Sequence, residues 1–123
     1  MAKDTFLNRK TTLNIQGRLF DLSTPQVMAI LNITPDSFYS ASRTASIDEA
    51  LEKTEAFLQA GATIIDIGAY SSRPGAADVS LEEELDRIVP VVHALVKAFP
   101  EAVLSIDTFR SVVAKASIEA GAH

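Results

Sequence analysis

The stretch VMAILNI at residues 27–33 is almost continuously apolar and lies between Pro25 and Pro35. It is too short for a helix, and continuous apolarity is typical of a strand buried on both faces of a parallel sheet. Similar short runs recur at residues 63–67 and 102–106, so that the strand starts fall 36 and 39 residues apart. This spacing predicts a sheet of three parallel strands.

Each predicted strand is followed by a segment with helical periodicity. Ser46 and Ser80 each precede a glutamate by three residues, the spacing of a capping box, which places helix starts at both serines. A third helix is predicted over residues 109–120. Pro90 lies inside the second segment and predicts either a kink or a short helix followed by a longer one.

A β-hairpin is predicted ahead of this repeat, because residues 12–15 and 18–22 alternate in polarity around Gln16-Gly17. The order that follows is β-α-β-α-β-α, which favours right-handed crossovers between parallel strands. We interpret residues 1–123 as one partial barrel domain, in which the βα units cover residues 27–123.

The two faces of the predicted strands differ in polarity. One face is wholly apolar and suits packing against helices. The other face turns polar toward the carboxyl end of each strand, where it carries Asn32, Asp66 and Asp107. A barrel interior with a site at its top has this pattern. An open doubly wound sheet covers both faces with helices, so the distribution favours the barrel.

Three polar residues at or after the strand ends are candidate site residues. Asn32 offers an amide oxygen suited to Mg²⁺ beside a phosphate, or else it hydrogen-bonds the loop backbone. Arg73 follows two serines and can clamp an anion, although a solvated position is the commoner fate of a loop arginine. Asp107 can accept hydrogen bonds from a heterocycle, or it can cap the third helix, a role open to Thr108 as well. Asp66 is interpreted as a buried, satisfied carboxylate that braces neighbouring loops.

The composition narrows the function classes. The net charge is −5 and the eleven Lys and Arg are scattered, which disfavours nucleic acid as a partner. No apolar stretch is long and uninterrupted enough for a membrane span, and the start lacks the apolar core of a signal peptide. The lack of cysteine excludes disulfides and thiolate metal sites. We therefore expect a cytoplasmic protein that binds small molecules.

Three ordered motifs resemble those of one enzyme family. LNITPDSF at residues 31–38 resembles the first signature of the dihydropteroate synthases. ATIIDIG at 62–68, followed by SSRPGA at 71–76, resembles the second, and LSIDT at 104–108 resembles the third. The resemblance implies the N-terminal portion of a TIM (β/α)8 barrel, an α/β fold with three βα units preceded by a β-hairpin.

The resemblance also implies a reaction. Dihydropteroate synthases are transferases that join 6-hydroxymethyl-7,8-dihydropterin pyrophosphate to p-aminobenzoate in folate biosynthesis, with release of pyrophosphate. By position, Asn32 is similar to the residue that meets Mg²⁺ and the pyrophosphate. Ser72 and Arg73 resemble the loop that engages pyrophosphate and p-aminobenzoate, and Asp107 resembles a ligand of the pterin ring.

The loop after the first strand also enters the resemblance. Pro35, Asp36 and Phe38 are similar to the residues that build the p-aminobenzoate pocket. Residues 39–43 depart from the family pattern, and Ala69-Tyr70 stands where the family usually has Gly-Glu. A homodimer is the expected assembly of the full-length enzyme.

The end of the sequence repeats the approach to a strand. Ala60-Gly61-Ala62 leads into the second strand, and Ala120-Gly121-Ala122 repeats this lead-in, which predicts a fourth strand after His123. On this expectation the chain is a fragment and is inactive alone. One alternative is a pterin-binding methyltransferase barrel, which should lack the TPDSF loop at 34–38. The other is a non-catalytic flavodoxin-like module, complete at this length.

Overall fold

The computed structural model describes residues 10–34, 43–70 and 78–123. The elements, in chain order, are β1 Thr12–Ile15, β2 Arg18–Asp21, β3 Met28–Asn32, α1 Arg43–Gln59, β4 Ile64–Gly68, α2 Leu81–Ala98, β5 Val103–Asp107 and α3 Ser111–Glu119. The predicted β-α-β-α-β-α order is confirmed. In the part of the chain that the structure describes, no helix combines the length and the apolar character that a membrane crossing requires.

The predicted hairpin is confirmed. β1 and β2 pair antiparallel, with Ile15 opposite Arg18. Gln16 and Gly17 form the two-residue turn with φ of 50° and 81°, and positive φ at both positions matches the twist of the flanking strands. The Gln16 side chain also donates a hydrogen bond to the carbonyl of Ala122 at 3.2 Å. This bond ties the hairpin to the end of the third βα unit.

The three remaining strands form a parallel sheet in the order β3-β4-β5. The register places Met28 opposite Ile64 at one end and Asn32 opposite Gly68 at the other. Gly68 is in turn opposite Asp107 on β5. The carboxyl ends of all three strands therefore lie level at one edge of the sheet.

One face of this sheet packs against the helices and the other does not. The apolar core joins sheet residues such as Leu31, Ile65 and Leu104 to helix residues such as Ile88 and Val113. These five side chains are at most 1% exposed.

On the opposite face, Met28 is 49% exposed and Ile30 is 63% exposed. No helix within residues 10–34, 43–70 and 78–123 covers that face. The prediction of a barrel-type sheet is confirmed, and the flavodoxin-like alternative, which needs helices on both faces, is wrong.

The helix starts differ in part from the predictions. Ser80 caps α2 as predicted, because its hydroxyl accepts a hydrogen bond from the Glu83 backbone N–H at 3.2 Å. α1, however, begins at Arg43 rather than at Ser46. α2 continues without interruption from Leu81 to Ala98 through Pro90, so the predicted alternative of a short helix followed by a longer one is wrong.

The third helix begins later than predicted, and this bears on Asp107. α3 starts at Ser111, and its N-cap is Arg110 in extended backbone without a side-chain capping bond. Thr108 accepts a hydrogen bond from the Arg110 backbone N–H at 3.1 Å, which forms a local turn ahead of the helix. Asp107 is the last residue of β5 and lies three residues before the cap. The alternative role of Asp107 as a helix cap is therefore wrong.

Candidate active site at the carboxyl ends of the parallel strands

Asn32, Gly68 and Asp107 lie side by side at the carboxyl ends of the three parallel strands. Neighbouring strands are about 4.8 Å apart, so the Cα atoms of Asn32 and Asp107 lie roughly 10 Å from each other. Both side chains are exposed and lie on the face without helices. Neither has a hydrogen-bond partner among the described residues. The two polar groups are thus available to a ligand that spans the end of the sheet.

A second polar layer lies one step below this edge. Ser105 donates a hydrogen bond to Asp66 Oδ1 at 2.8 Å, and the two residues are cross-strand neighbours on the same face as Asp107. Both residues are half-buried. Asp66 is satisfied as predicted, but it is half-buried rather than buried, and its partner belongs to the adjacent strand rather than to a loop. The pair therefore braces β4 against β5 beneath the candidate site.

A buried ion pair holds the segment that follows Asp107. Glu84 on α2 is fully buried, and both of its carboxylate oxygens are used. Thr108 Oγ1 donates to Oε2 at 2.7 Å, and Arg110 Nη1 donates to Oε1 at 2.8 Å. The Arg110 Nη2 group donates to the Val79 carbonyl at 2.8 Å. This cluster joins the segment before α2 to the segment after β5.

No sequence motif indicates Glu84, although its position in the helix does. Positions 84, 88, 91 and 95 follow the heptad spacing of a buried helix stripe, and the last three are Ile, Val and Leu. A glutamate on such a stripe requires a buried cationic or hydrogen-bonding partner. The sequence alone does not identify Arg110 as that partner, because the two residues are 26 positions apart.

Two aromatic rings lie against the same arginine. Tyr70 and Phe109 pack edge to face with centroids 5.1 Å apart. The Arg110 guanidinium carbon lies 4.9 Å from the Phe109 centroid and 5.6 Å from the Tyr70 centroid. These contacts are within cation–π range. The Tyr70 hydroxyl also donates a hydrogen bond to Asp78 Oδ1 at 2.9 Å. Tyr70, which follows β4, is therefore in contact with Phe109 and Arg110, which follow β5.

The hydrogen bond to Asp78 raises the pKa of the Tyr70 phenol, because ionisation would lose the bond and place two negative charges together. The stabilisation from this bond is present below the ordinary tyrosine pKa and is lost as the pH rises through the raised value.

The chain has two tyrosines and no tryptophan. We expect an ultraviolet titration of the Tyr39→Phe variant, in which Tyr70 is the sole tyrosine, to give a higher phenolate midpoint than the Tyr39→Phe/Asp78→Ala variant.

The control for this titration is Asp48→Ala in the Tyr39→Phe background, since Asp48 is an exposed carboxylate of α1. It should leave the midpoint unchanged. Equal midpoints with and without Asp78 would contradict the hydrogen bond.

Several predicted site residues lie outside the described ranges. These are Pro35, Asp36, Phe38, Ser72 and Arg73. Within the described ranges, no group of three or more His, Cys, Asp or Glu residues could hold a metal ion. Asn32, the predicted contact to Mg²⁺, lies within the described ranges.

The one-sided parallel sheet, with polar groups at the carboxyl ends of its strands, defines the chain as part of a (β/α)8 barrel with a site at its top. A sequence model of the pterin binding enzymes matches residues 28–123. The chain belongs to this pterin binding enzyme family, and the predicted resemblance is confirmed.

Two curated proteins similar to this chain are named dihydropteroate synthase. The chain is 49% identical over 108 residues to the dihydropteroate synthase of Escherichia coli strain K12, which covers 88% of this chain and 38% of that protein. It is 46% identical over 109 residues to the dihydropteroate synthase of Haemophilus influenzae, with 89% and 39% covered. The chain therefore spans about two fifths of the length of these relatives.

Solved structures agree with this assignment. The Yersinia pestis dihydropteroate synthase in a sulfonamide drug complex matches with a TM-score of 0.80 and 53% identity, over 91% of this chain and 40% of that chain. The Xanthomonas albilineans dihydropteroate synthase with 4-aminobenzoic acid matches with a TM-score of 0.83 and 40% identity, over 92% and 42%. The predicted fold class is thereby confirmed.

Proposed function

We propose that this chain contributes to the active site of a dihydropteroate synthase. Such an enzyme condenses 6-hydroxymethyl-7,8-dihydropterin pyrophosphate with p-aminobenzoate to give dihydropteroate and pyrophosphate. The observation that carries the proposal is the level alignment of Asn32, Gly68 and Asp107 on one open face of the sheet. The identity of 49% to a protein of that name supports it.

Asp107 is proposed to bind the pterin ring. Its carboxylate is exposed, caps no helix and has no partner within the described residues. A carboxylate accepts hydrogen bonds only, and a pterin offers ring N–H and amino groups as donors along one edge. Bonds of this kind are charge-assisted, so they would fix both the position and the orientation of the heterocycle.

Asn32 is proposed to meet Mg²⁺ and the pyrophosphate. Mg²⁺ at phosphate sites keeps several waters and takes few protein ligands, so one exposed amide oxygen at a strand end fits it. The ion would neutralise part of the charge on the pyrophosphate when bound. Asn32 would then hold the ion beside the leaving group.

Ser72 and Arg73 are proposed to complete the anion contacts, on the basis of the SSRPGA motif. In the reaction the bond between the pterin methylene carbon and the pyrophosphate oxygen breaks, and the departing oxygen gains negative charge. A guanidinium beside that oxygen stabilises the charge as it develops. The amine of p-aminobenzoate then bonds to the methylene carbon and releases one proton. Pro35, Asp36 and Phe38 are proposed to line the p-aminobenzoate pocket.

A chimera tests the proposal. We would replace the matching 108-residue segment of the Escherichia coli synthase with this chain and measure pyrophosphate release that depends on both substrates. Turnover by the chimera is the expected result, since the graft would place Asn32 and Asp107 at the top of a complete barrel. The chain alone should show no turnover, because residues from three strands form only part of such a site.

The matched control is the same graft made with the corresponding segment of the Haemophilus influenzae synthase, which has 46% identity to this chain. That graft shows whether the two junctions are tolerated. A folded chimera that is inactive beside an active control would contradict the proposed function.

A further inference from the structure

Gly68 is a glycine that the fold does not require. It ends β4, the central strand of the parallel sheet, between Asn32 and Asp107. Its φ is not positive, unlike those of Gly17, Gly61 and Gly121. A side chain is therefore compatible with its backbone conformation. The backbone conformation therefore gives no reason for a glycine at position 68. Glycine inside a strand also lowers stability relative to alanine.

Packing does not require a glycine at this position either. An ideal Cβ on Gly68 would have Asp107 atoms as its nearest neighbours, namely Cβ, the carbonyl oxygen and Oδ2, each at 3.6 Å. These distances are ordinary van der Waals contacts. At Gly121, by contrast, φ is +115° and a Cβ would lie 2.9 Å from Val96 Cγ2, so backbone and packing both explain that glycine.

The neighbour that a side chain at position 68 would meet is the candidate pterin ligand. A methyl carbon at 3.6 Å from Asp107 Oδ2 would occupy the space from which an N–H donor approaches to about 2.9 Å. Glycine places no side chain on that side of Asp107.

We propose that Gly68 is a specificity-determining residue, which keeps the central-strand side of the Asp107 carboxylate free for the donor edge of a flat heterocycle. This inference rests on the proposed function and deepens it. The heterocycle class is one with a ring N–H beside an exocyclic amino group. Rings that present a carbonyl in place of that amino group would set two acceptors together and would be rejected.

The experiment compares the chimera with its Gly68→Ala and Gly68→Val variants. Calorimetry with 6-hydroxymethylpterin gives the dissociation constant, and lumazine, which has a carbonyl in place of the 2-amino group, tests the selectivity. A thermal melt reports the fold. The matched control is Val103→Ile, which adds one methyl group to the same face at the opposite end of β5.

We expect Gly68→Ala to melt at the wild-type temperature or up to about 5 °C higher. Its dissociation constant for the pterin should rise by about 10- to 100-fold, with a larger rise for Gly68→Val. The preference for pterin over lumazine should fall, and Val103→Ile should bind as the wild type does.

Pterin binding by Gly68→Ala at wild-type affinity would overturn the inference and leave the proposed function intact. A marked fall in its melting temperature would overturn it as well, because the glycine would then serve the fold. Failure of the chimera without the Gly68 substitutions to bind the pterin would instead contradict the proposed pterin site itself, and the inference would fall with it.

Discussion

Replacing Asp107 with asparagine in the chimera is expected to lower kcat/KM by about 100- to 10,000-fold. Each hydrogen bond to a charged group contributes roughly 1.5–3 kcal/mol, and each 1.4 kcal/mol is about a factor of ten in rate. The variant loses the charge and turns one acceptor into a donor that faces the donor edge of the ring. Two bonds are affected, which gives the stated range.

The measurement is steady-state kinetics with the dihydropterin pyrophosphate as the varied substrate. Asp48→Asn is the control, since it removes an exposed carboxylate of α1 and should change kcat/KM by less than about twofold. A binding defect at Asp107 should leave the melting temperature of the chimera unchanged. Wild-type kinetics in a folded Asp107→Asn chimera would refute the role given to this residue.

The strands and their alignment could be predicted because the information is local. Apolar runs of five to seven residues, separated by helical periodicity, specify parallel strands, and alternation then assigns each side chain to a face. That is sufficient to place Asn32 and Asp107 on one face at one end of the sheet. The open face follows from the same pattern, since its strand ends are polar.

The helix boundaries were less accessible because local signals compete there. Ser46 with Glu49 has capping-box spacing, yet α1 begins at Arg43 and includes both residues. Aspartate and threonine are favoured caps, yet Arg110 caps α3 without a side-chain bond. The Thr108 hydroxyl accepts from the Arg110 N–H, which forms a turn ahead of the helix, and donates to Glu84, a tertiary contact that no local rule predicts.

The parts of the site that escaped prediction depend on residues far apart in the sequence. The Glu84–Arg110 pair joins positions 26 residues apart, and no local pattern specifies that contact. The contribution of Gly68 is similar in kind. Its sequence context indicates only the end of a strand, whereas its significance comes from Asp107, which lies opposite it on the next strand.

Replacing Glu84 with glutamine is expected to lower the free energy of unfolding by about 3–5 kcal/mol, the cost of removing one partner of a buried ion pair. Arg110 would keep its charge at a site where its side chain is only 25% exposed, with the Val79 carbonyl as its remaining strong partner. The glutamine amide would also place a donor group beside Thr108 or Arg110. Since domains of this size have total stabilities of about 5–15 kcal/mol, the loss is a large fraction.

Urea unfolding followed by circular dichroism measures this change, and Glu83→Gln is its matched control on the adjacent residue. Glu83 is 58% exposed and lies 3.7 Å from Arg87, so its loss should cost no more than about 0.5 kcal/mol.

The Arg110→Met variant should also be destabilised, and the double variant should lose less than the sum of both, because neither charge is then left buried alone. A Glu84→Gln variant within about 1 kcal/mol of the wild type would show that the cluster is not what holds the segment after Asp107. The expected outcome instead makes α2 the support of the candidate site, since Thr108 and Arg110 then depend on Glu84 for their positions.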